Sequence, residues 1–173
     1  VPTPPIGPRD ALVRVAAAGV CYHDVLVMRG VLRRGVKPDI VLGHEFAGEV
    51  VECGDLVSSV SPGDQVVSIL TDACGACARC AQGQEHRCLN GSGIGHGADG
   101  AFAEYVRVSE ASLVTLPLGA DPAEACLYGC PMGVALHSLA DAAGLRPGET
   151  VVVTGAGGGL GVHTVQIARA LGA

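Results

Sequence analysis

The first part of the chain contains short runs in which apolar and polar positions alternate, a pattern typical of half-buried β-strands. The run ALVRVAA ends at Gly19, and three similar runs follow it: Phe46–Val51, Gln65–Leu70 and Ala103–Val108. Turn-forming sequences such as SPGD at Ser61–Asp64 separate these runs. We therefore predict an all-β, barrel-like domain over about residues 1–120.

The pattern changes at Asp121, where the sequence Asp-Pro-Ala-Glu is typical of the start of a helix, with Asp121 as its N-cap. We expect Gly129 and Pro131 to break this helix, which leaves Cys130 at the joint. Apolar positions at helical spacing predict a second helix over residues 132–143.

The remaining residues follow the order strand, glycine-rich turn, helix. Val151–Val153 is an apolar β-branched run, GAGGGLG comes next, and Val162–Leu171 is predicted to be helical. This order is typical of the opening of a dinucleotide-binding fold. We therefore assign residues 121–173 to the start of a Rossmann domain, and we expect the chain to be part of a longer protein.

The composition supports a packed core and narrows the choice of partners. Apolar residues make up 49% of the 173 residues and charged residues 16%, which excludes a disordered polyelectrolyte. The net charge is −6 and no run of Lys or Arg is present, so nucleic acid and anionic membranes are poor candidate partners. Glycines interrupt the longest charge-free stretch, Thr150–Ala168, which excludes a membrane helix there. With no signal peptide before the cysteines, we expect a cytoplasmic protein with reduced thiols.

Half of the eight cysteines lie in one fifteen-residue stretch, CGACARCAQGQEHRC. Cys74, Cys77, Cys80 and Cys88 are separated by two, two and seven residues, and the short gaps let successive thiolates face one centre. Four thiolates make a closed tetrahedral zinc site with no position for substrate. Disulfides and an iron–sulfur cluster are the alternatives, and a reducing compartment favours zinc. The predicted role of this structural zinc is to hold a loop that has almost no apolar side chains.

A second set of candidate ligands is spread along the chain. GVCYHD (Gly19–Asp24) supplies a thiol, an imidazole and a carboxylate, and GHEFAGEVVECGDLV (Gly43–Val57) supplies His44 and Glu45. These motifs, the four-cysteine loop, DGAFAEY at Asp99–Tyr105 and the glycine-rich turn occur in one specific order. In this order the chain resembles the zinc-containing medium-chain dehydrogenases/reductases of the alcohol dehydrogenase family, over nearly its whole length.

The resemblance implies a mixed fold, with a GroES-like β-barrel domain followed by the first β-α unit of a Rossmann domain. It also implies a catalytic zinc held by Cys21, His44 and Cys130, so that each chain binds two zinc ions. Two thiolates and one imidazole leave a fourth position for water or alcohol. Cys126, one helical turn before Cys130, is a competing candidate for the third ligand.

Three further side chains are implied to act beside this zinc. Asp24 would accept the free N–H of His44 and thereby hold its tautomer, and Glu45 would lie just behind the metal. His23 stands where many relatives have a Ser or Thr that relays the alcohol proton, and an imidazole is a competent relay near neutral pH. The alternative for His23 is a loop histidine that is bonded to the backbone.

The nicotinamide cofactor, NAD or NADP, is expected at the glycine-rich turn. The strict G-x-G-x-x-G pattern is absent, and Ala156, Gly158 and Gly161 occupy the matching positions. Glycines there let the pyrophosphate approach backbone N–H groups at the helix N-terminus. A valine stands where the family commonly has a threonine near the nicotinamide. The expected cofactor contacts are therefore Val134, Gly155, Ala156, Gly157, Gly158, Gly159, Leu160 and Gly161.

The implied function is a zinc-dependent oxidoreductase that transfers a hydride between an alcohol, or its aldehyde or ketone, and the nicotinamide cofactor. One alternative is the reduction of an activated C=C bond in an enoyl thioester. Another is that these residues alone form a non-catalytic zinc-binding structural module, because one strand and one helix cannot form a cofactor sheet. The expected partners are a small-molecule substrate and further copies of the chain in a dimer or tetramer, with no nucleic acid and no membrane.

Overall fold

The computed structural model describes all residues from Val1 to Ala173 and divides the chain into two compact units, Val1–Cys126 and Leu127–Ala173. The first unit contains every β-strand, two short α-helices and three 3₁₀ turns, and the second unit contains the remaining α-helices and two π-helical turns. No helix in either unit has the length and apolar character needed to cross a membrane. The domain boundary near residue 120 that the sequence pattern indicates stays a prediction.

A five-stranded antiparallel sheet forms the centre of the first unit. Its order is β6–β1–β2–β3–β7, and β4 pairs with β5 in a separate two-stranded sheet. Helix α1 (Tyr22–Met28) follows β1, and α2 (Pro122–Ala125) comes after the last strand. The strands are β1 (Asp10–Gly19), β2 (Glu45–Cys53), β3 (Gln65–Ser68), β4 (Thr71–Asp72), β5 (Ser92–Gly93), β6 (Tyr105–Ser109) and β7 (Leu113–Thr115).

The core of the first unit is built from alternate positions of the long strands. Ala11 and Val13 on β1 are fully buried, and Val13 lies opposite Val50 on one side and Val106 on the other. Phe46 on β2 is the largest side chain of this buried cluster. Because side chains alternate between the two faces of a strand, these residues share one face. Burial of each valine stabilises the fold by about 1.5–3 kcal/mol, so this row holds three neighbouring strands together.

The strands predicted from the alternating pattern are present, with shifted ends. The run Phe46–Val51 lies inside β2, and the run Gln65–Leu70 ends early, at Ser68. The run Ala103–Val108 is a strand only from Tyr105 onward. Strands β4, β5 and β7 have two or three residues each, too few for an alternating pattern to predict them.

Asp72 on β4 joins the small sheet to Arg107 and Ser109 of the large sheet. Arg107 on β6 contacts Asp10 on β1 at 3.1 Å and Asp72 on β4 at 2.9 Å, and the Ser109 amide donates to Asp72 at 2.9 Å. Burial disfavours the charge of Arg107, but the two carboxylates outweigh it and raise the pKa of the guanidinium. Arg107 therefore keeps its charge, and it positions the base of the loop that carries the four cysteines.

The helix that starts at Asp121 is shorter than the sequence predicts. The Asp121 carboxylate accepts from the Ala123 amide at 2.9 Å, as expected of an N-cap, but α2 ends at Ala125. The break therefore lies ahead of Gly129 and Pro131, and the prediction that these two residues cause it is wrong.

The second unit begins with helical turns on both sides of that proline. Tyr128–Met132 and His137–Ala142 are π-helical, and α3 (Gly133–Leu136) lies between them. The Met132 amide reaches the Leu127 carbonyl oxygen at 3.3 Å, a bond that spans five residues. Because this wider turn does not require an amide from the proline, the chain stays helical through it.

The strand predicted at Val151–Val153 is not formed. These residues have no regular secondary structure, and Val152 is 86% exposed. A strand needs hydrogen bonds from a neighbouring strand, and the second unit contains none. The predicted helix does form, as α4 (Gly159–Ala170), because helical hydrogen bonds are local to the segment.

Gly48 on β2 lies where two strands approach too closely for a side chain. A Cβ atom there would collide with the Arg14 carbonyl oxygen and lie 2.8 Å from Val13 Cγ1. We expect Gly48→Ala to lower the free energy of unfolding by about 3 kcal/mol, because strand backbone cannot move aside freely. The control is Gly63→Ala, where a Cβ meets nothing within 4 Å and only the φ of 98° opposes the change. It should cost about 1 kcal/mol. Equal losses in thermal unfolding would contradict this account.

Candidate metal centres

The four cysteines predicted to hold the structural zinc lie together in the loop between β4 and β5. Short 3₁₀ turns at Cys80–Gln82 and Glu85–Arg87 fold this loop back on itself. The four sulfur atoms all lie within 4.8 Å of one another: Cys74, Cys77, Cys80 and Cys88. Only Ala73 and Cys80 are buried in the whole stretch from residue 73 to residue 91, so apolar packing does not hold the loop.

The sulfur separations match those of a tetrahedral zinc site. Cys77 Sγ lies 3.6 Å from Cys80 Sγ and 3.8 Å from Cys88 Sγ, and Cys88 Sγ lies 3.4 Å from Cys74 Sγ. Four thiolates placed about 2.3 Å from one centre are about 3.8 Å apart in a tetrahedron. None of the four forms a disulfide, which would require sulfurs about 2.05 Å apart. The loop therefore fits a closed four-thiolate site.

Backbone amides donate to these sulfurs and stabilise negative charge on them. The Cys74 amide donates to Cys88 Sγ at 3.3 Å, and the Leu89 amide donates to Cys77 Sγ at 3.5 Å. Amides of Cys80 and Leu89 lower the pKa of Cys77 to about 6, whereas burial and the neighbouring thiols raise the pKa of Cys80 to about 12. Cys77 therefore loses its proton more readily than Cys80, and metal binding at the loop releases the proton of Cys80.

The pairing of β1 with β2 brings a second set of potential ligands together. The register places Gly19 opposite Glu45, so Cys21 and His44, which flank this pair, meet at the same end of the two strands. Ligand atoms of Cys21, His44 and Glu45 lie within 4.8 Å of one another. His44 and Glu45 are each only 5% exposed. A thiol, an imidazole and a carboxylate form a donor set that suits zinc, and a bound cation would balance the buried carboxylate.

Asp24 joins the two segments that carry these ligands. Its side chain is 1% exposed and accepts from the Cys21 amide at 3.0 Å and from the Gly43 amide at 3.4 Å. Its Oδ1 atom lies 3.4 Å from His44 Nδ1, close enough for an ion pair but without the angle of a hydrogen bond. Metal-ligating histidines commonly have a carboxylate at their other ring nitrogen. Asp24 therefore holds both ligand segments and faces the imidazole.

His23 lies between two other histidines. Its ring centroid is 5.1 Å from those of His44 and His96. Burial lowers the pKa of His23, and the nearby His44 and His96 lower it further, so the ring is neutral at pH 7. The Nδ1 atoms of the three rings are buried without a hydrogen-bond partner. Asp24 already faces His44 Nδ1, but the Nδ1 atoms of His23 and His96 are positions for a ligand, a water molecule or an ion, because buried polar atoms are normally paired.

The position of His96 is not evident from the sequence, which indicates no role for it. Its Nε2 atom lies 2.9 Å from the Arg34 carbonyl oxygen, and the Lys37 amide donates to the His96 carbonyl oxygen at 2.8 Å. His96 therefore connects the loop after α1 to His23. No local motif could have predicted this contact, because its partners are remote along the chain.

Two other cysteines of the first unit are packing residues. The Cys126 thiol donates to the Ala123 carbonyl oxygen at 3.3 Å, and burial, followed by the charge of Glu45, raises its pKa. The Cys53 thiol donates to the Val60 carbonyl oxygen at 3.8 Å, and burial raises its pKa as well. Both thiols stay protonated at neutral pH, and neither belongs to a group of potential metal ligands.

The second unit carries the other predicted site residues. Cys130 is half-buried in the first π-helical turn, and Val134 follows on α3 with 39% of its surface exposed. The glycine-rich turn leads into α4, whose N-cap Gly158 offers no side-chain cap to the first amides of the helix. A Cβ at Gly161 would collide with the backbone of Gly155, so the turn packs tightly against its own helix.

The outer side of the same turn is open. A Cβ atom at Gly157 or Gly159 would meet nothing within 4 Å. Free amides at a helix N-terminus together with an unobstructed approach are the requirements for binding a pyrophosphate. Ala156 and Leu160, the two non-glycine residues of the turn, are exposed.

The first unit thus combines a four-thiolate loop with a cysteine and a histidine that face a buried aspartate, the arrangement that the order of the motifs leads us to expect. The chain belongs to the alcohol dehydrogenase GroES-like domain family, which residues 7–118 match. This match confirms the family that the order of the motifs indicates, and it confirms the GroES-like domain of the predicted fold class.

The similar curated proteins include reductases and dehydrogenases. An acryloyl-coenzyme A reductase from Metallosphaera sedula is 42% identical over 95% of this chain and 49% of its own length. An L-threonine 3-dehydrogenase from Streptomyces avermitilis is 38% identical over 100% of this chain and 50% of its own length. The chain spans about half the length of the curated relatives it matches.

Solved structures of similar proteins have the same fold. An alcohol dehydrogenase from Thermus sp. ATN1 has a TM-score of 0.90 and 37% identity, and the match covers 100% of this chain and 51% of that one. A zinc-binding dehydrogenase from Sinorhizobium meliloti, solved with NADP, has a TM-score of 0.88 and 39% identity, with 100% and 49% covered.

Proposed function

We propose that this chain is part of a zinc- and nicotinamide-dependent oxidoreductase that transfers a hydride between an alcohol and the corresponding aldehyde or ketone. The observation that carries the proposal is the meeting of Cys21 and His44 beside the buried Asp24, in the same unit as a separate four-cysteine loop. The four-cysteine loop is suited to a structural metal ion that stabilises the fold. The cluster of Cys21 and His44 is suited to a metal ion that also binds substrate.

The residues that would hold the two metal ions differ in chemistry. Cys74, Cys77, Cys80 and Cys88 would hold the structural zinc, and Cys21, His44 and Cys130 would hold the catalytic zinc. Cys130 is assigned from the family resemblance, and the protonated, hydrogen-bonded thiol of Cys126 argues against the competing assignment. When bound, zinc in a three-ligand site supplies a Lewis acid that lowers the pKa of an alcohol and polarises a carbonyl group.

The chain's own side chains would then position the ligands and move the proton. Asp24 keeps the imidazole of His44 oriented and ties the Cys21 segment to it. Glu45, buried beside both ligands, adds negative charge next to the metal. The neutral His23 ring has an unpartnered Nδ1 atom that can accept the proton that alcohol oxidation releases.

The glycine-rich turn would hold the cofactor. Amides at the start of α4 would bind the pyrophosphate of NAD or NADP, and the open side of Gly157 and Gly159 admits it. The predicted contacts from Gly155 to Gly161 and at Val134 all belong to the second unit. We also propose that the enzyme acts in the cytoplasm on a small molecule, as a dimer or tetramer, in keeping with its reduced cysteines and its family.

A second candidate function is the reduction of the C=C bond of a coenzyme A thioester. A specific observation favours it, since acryloyl-coenzyme A reductases from Metallosphaera sedula and Sulfurisphaera tokodaii are 42% and 39% identical to this chain. The same zinc ligands and the same cofactor turn would serve either reaction, because both transfer a hydride from or to a nicotinamide.

Zinc content tests the proposal directly. We expect two zinc ions per chain by atomic absorption, and one after Cys21→Ser, because that change removes a ligand of the open site only. Cys53→Ser is the matched control, since it changes a thiol that lies in neither cluster, and it should keep both ions. Retention of two ions by Cys21→Ser would refute the assignment of the catalytic site.

A further inference from the structure

The loop after α1 concentrates positive charge in an acidic chain. Between Asp24 and Asp39 the sequence has four cations and no acidic residue, although the net charge of the chain is −6. We call residues 29–37 the arginine loop. All four cations are exposed on it: Arg29, Arg33, Arg34 and Lys37.

Three of these cations lack a carboxylate partner. Lys37 is paired with Asp99, but no ion pair involves the three arginines. Three other arginines of the first unit pair with carboxylates: Arg9, Arg14 and Arg107. Arg79 bonds the Gln84 side chain instead, and Arg87 lies in the four-cysteine loop without an ion pair. Unpaired guanidinium groups clustered on one loop match the geometry of phosphate oxygens, which accept two parallel hydrogen bonds from each guanidinium.

The arginine loop is held in place from both sides. At its start the Val31 amide donates to the Leu26 carbonyl oxygen at 2.9 Å. At its end His96 Nε2 lies 2.9 Å from the Arg34 carbonyl oxygen. Arg33 Nε donates to the Gly30 carbonyl oxygen, which orients the guanidinium of Arg33. Because the backbone is already ordered, an anion that binds here loses little free energy to ordering the loop.

A chain of ring contacts connects the arginine loop to the proposed zinc ligands, and an apolar surface lies around the helix that precedes the loop. His96 touches the loop, and two ring contacts of 5.1 Å each lead from His96 through His23 to His44. Around α1, four apolar side chains are each 65% exposed or more: Val20, Tyr22, Met28 and Val31. The ligand that fits has phosphates at one end, a long arm with little charge, and its reactive group at the other end.

We propose that Arg29, Arg33 and Arg34 bind the phosphate groups of a coenzyme A thioester, whose pantetheine arm crosses the apolar surface around α1 toward Cys21 and His44. This inference rests on the second candidate function, the reduction of a coenzyme A thioester. It assigns the arginine loop to the substrate and the glycine-rich turn to the nicotinamide cofactor, so the two phosphate-bearing ligands have separate sites.

Calorimetric titration of the zinc-loaded chain with coenzyme A tests this site. We expect Arg33→Gln to weaken binding about fivefold, and the triple variant Arg29→Gln, Arg33→Gln, Arg34→Gln to weaken it at least about tenfold. The control is Arg14→Gln, which removes the same charge from a strand elsewhere and should change binding less than about twofold. Because all these arginines are exposed, thermal unfolding should be unchanged. Binding should also weaken as salt is added.

Two further ligands identify the source of the phosphate. Pantetheine, which lacks the phosphates, should bind the wild type and the triple variant equally. The proposal assigns the phosphates of NADP to the glycine-rich turn, so NADP should bind the wild type and the triple variant equally. Failure of coenzyme A to bind the wild type, an equal loss in Arg14→Gln, or a loss of NADP binding in place of coenzyme A binding would each overturn the proposal. The titration requires no hydride transfer, so its failure would leave the zinc and nicotinamide assignments standing.

Discussion

Replacing Cys74 by Ser should remove one zinc ion per chain and unfold the loop between β4 and β5. Apolar packing contributes little there, since only Ala73 and Cys80 are buried between residues 73 and 91. A structural zinc contributes about 10–16 kcal/mol in small zinc-binding peptides. The loss of one of four ligands should therefore cost more than about 3 kcal/mol of unfolding free energy.

Calorimetry and limited proteolysis measure this effect. We expect a lower Tm and new cleavage within residues 73–91, and a strong chelator should produce the same cleavage in the wild type. Cys126→Ser is the matched control, because that thiol is buried but belongs to neither cluster. An unchanged zinc content and Tm in Cys74→Ser would show that the sulfur tetrahedron does not hold a metal.

Asp24→Ala should weaken the other metal centre and the fold together. The change leaves the Cys21 and Gly43 amides without their acceptor in a buried site. Each unsatisfied buried donor costs about 1–3 kcal/mol, so the two amides together predict a loss of about 2–6 kcal/mol in unfolding free energy. It also removes the carboxylate 3.4 Å from His44 Nδ1. Loss of such a partner lowers metal affinity about 10–100-fold.

Asp24→Asn separates the two effects. The amide oxygen still accepts from one of the two backbone donors, so most of the stability should return. The charge that faces His44 is lost, so zinc affinity at this centre, measured by competition with a chelator, should stay reduced. If Asp24→Asn restored full zinc affinity, Asp24 would act only by packing and backbone bonding. If Asp24→Ala left the unfolding free energy and the zinc affinity unchanged, the hydrogen bonds from Asp24 to the Cys21 and Gly43 segments would contribute to neither.

Features that depend on interactions between residues close together in the sequence could be predicted from the sequence. The spacing of Cys74, Cys77, Cys80 and Cys88 restricts four sulfurs to one small loop whatever the rest of the chain does. Alternating apolar residues predicted β1 and β2 because strand periodicity follows from backbone geometry. Helix α4 formed as predicted because each of its hydrogen bonds joins residues four apart.

Elements that depend on a remote partner could not be predicted in the same way. Val151–Val153 has the composition of a strand, yet no second strand is available to pair with it. The contacts of His96 with His23 and Arg34 require the loop after β5 to meet helix α1 and the loop that follows α1. No pattern within either loop encodes that meeting.

The sequence by itself determined which side chains could bind metal, the family, and the order of the two units, because donor chemistry and motif order are properties of the chain. Only the tertiary structure decided that one carboxylate, Asp24, bonds both ligand segments, and that the arginine loop is anchored by His96. The physical reason is that these contacts depend on strand register and loop closure. Both are set by burial of the shared core, which the local sequence does not specify.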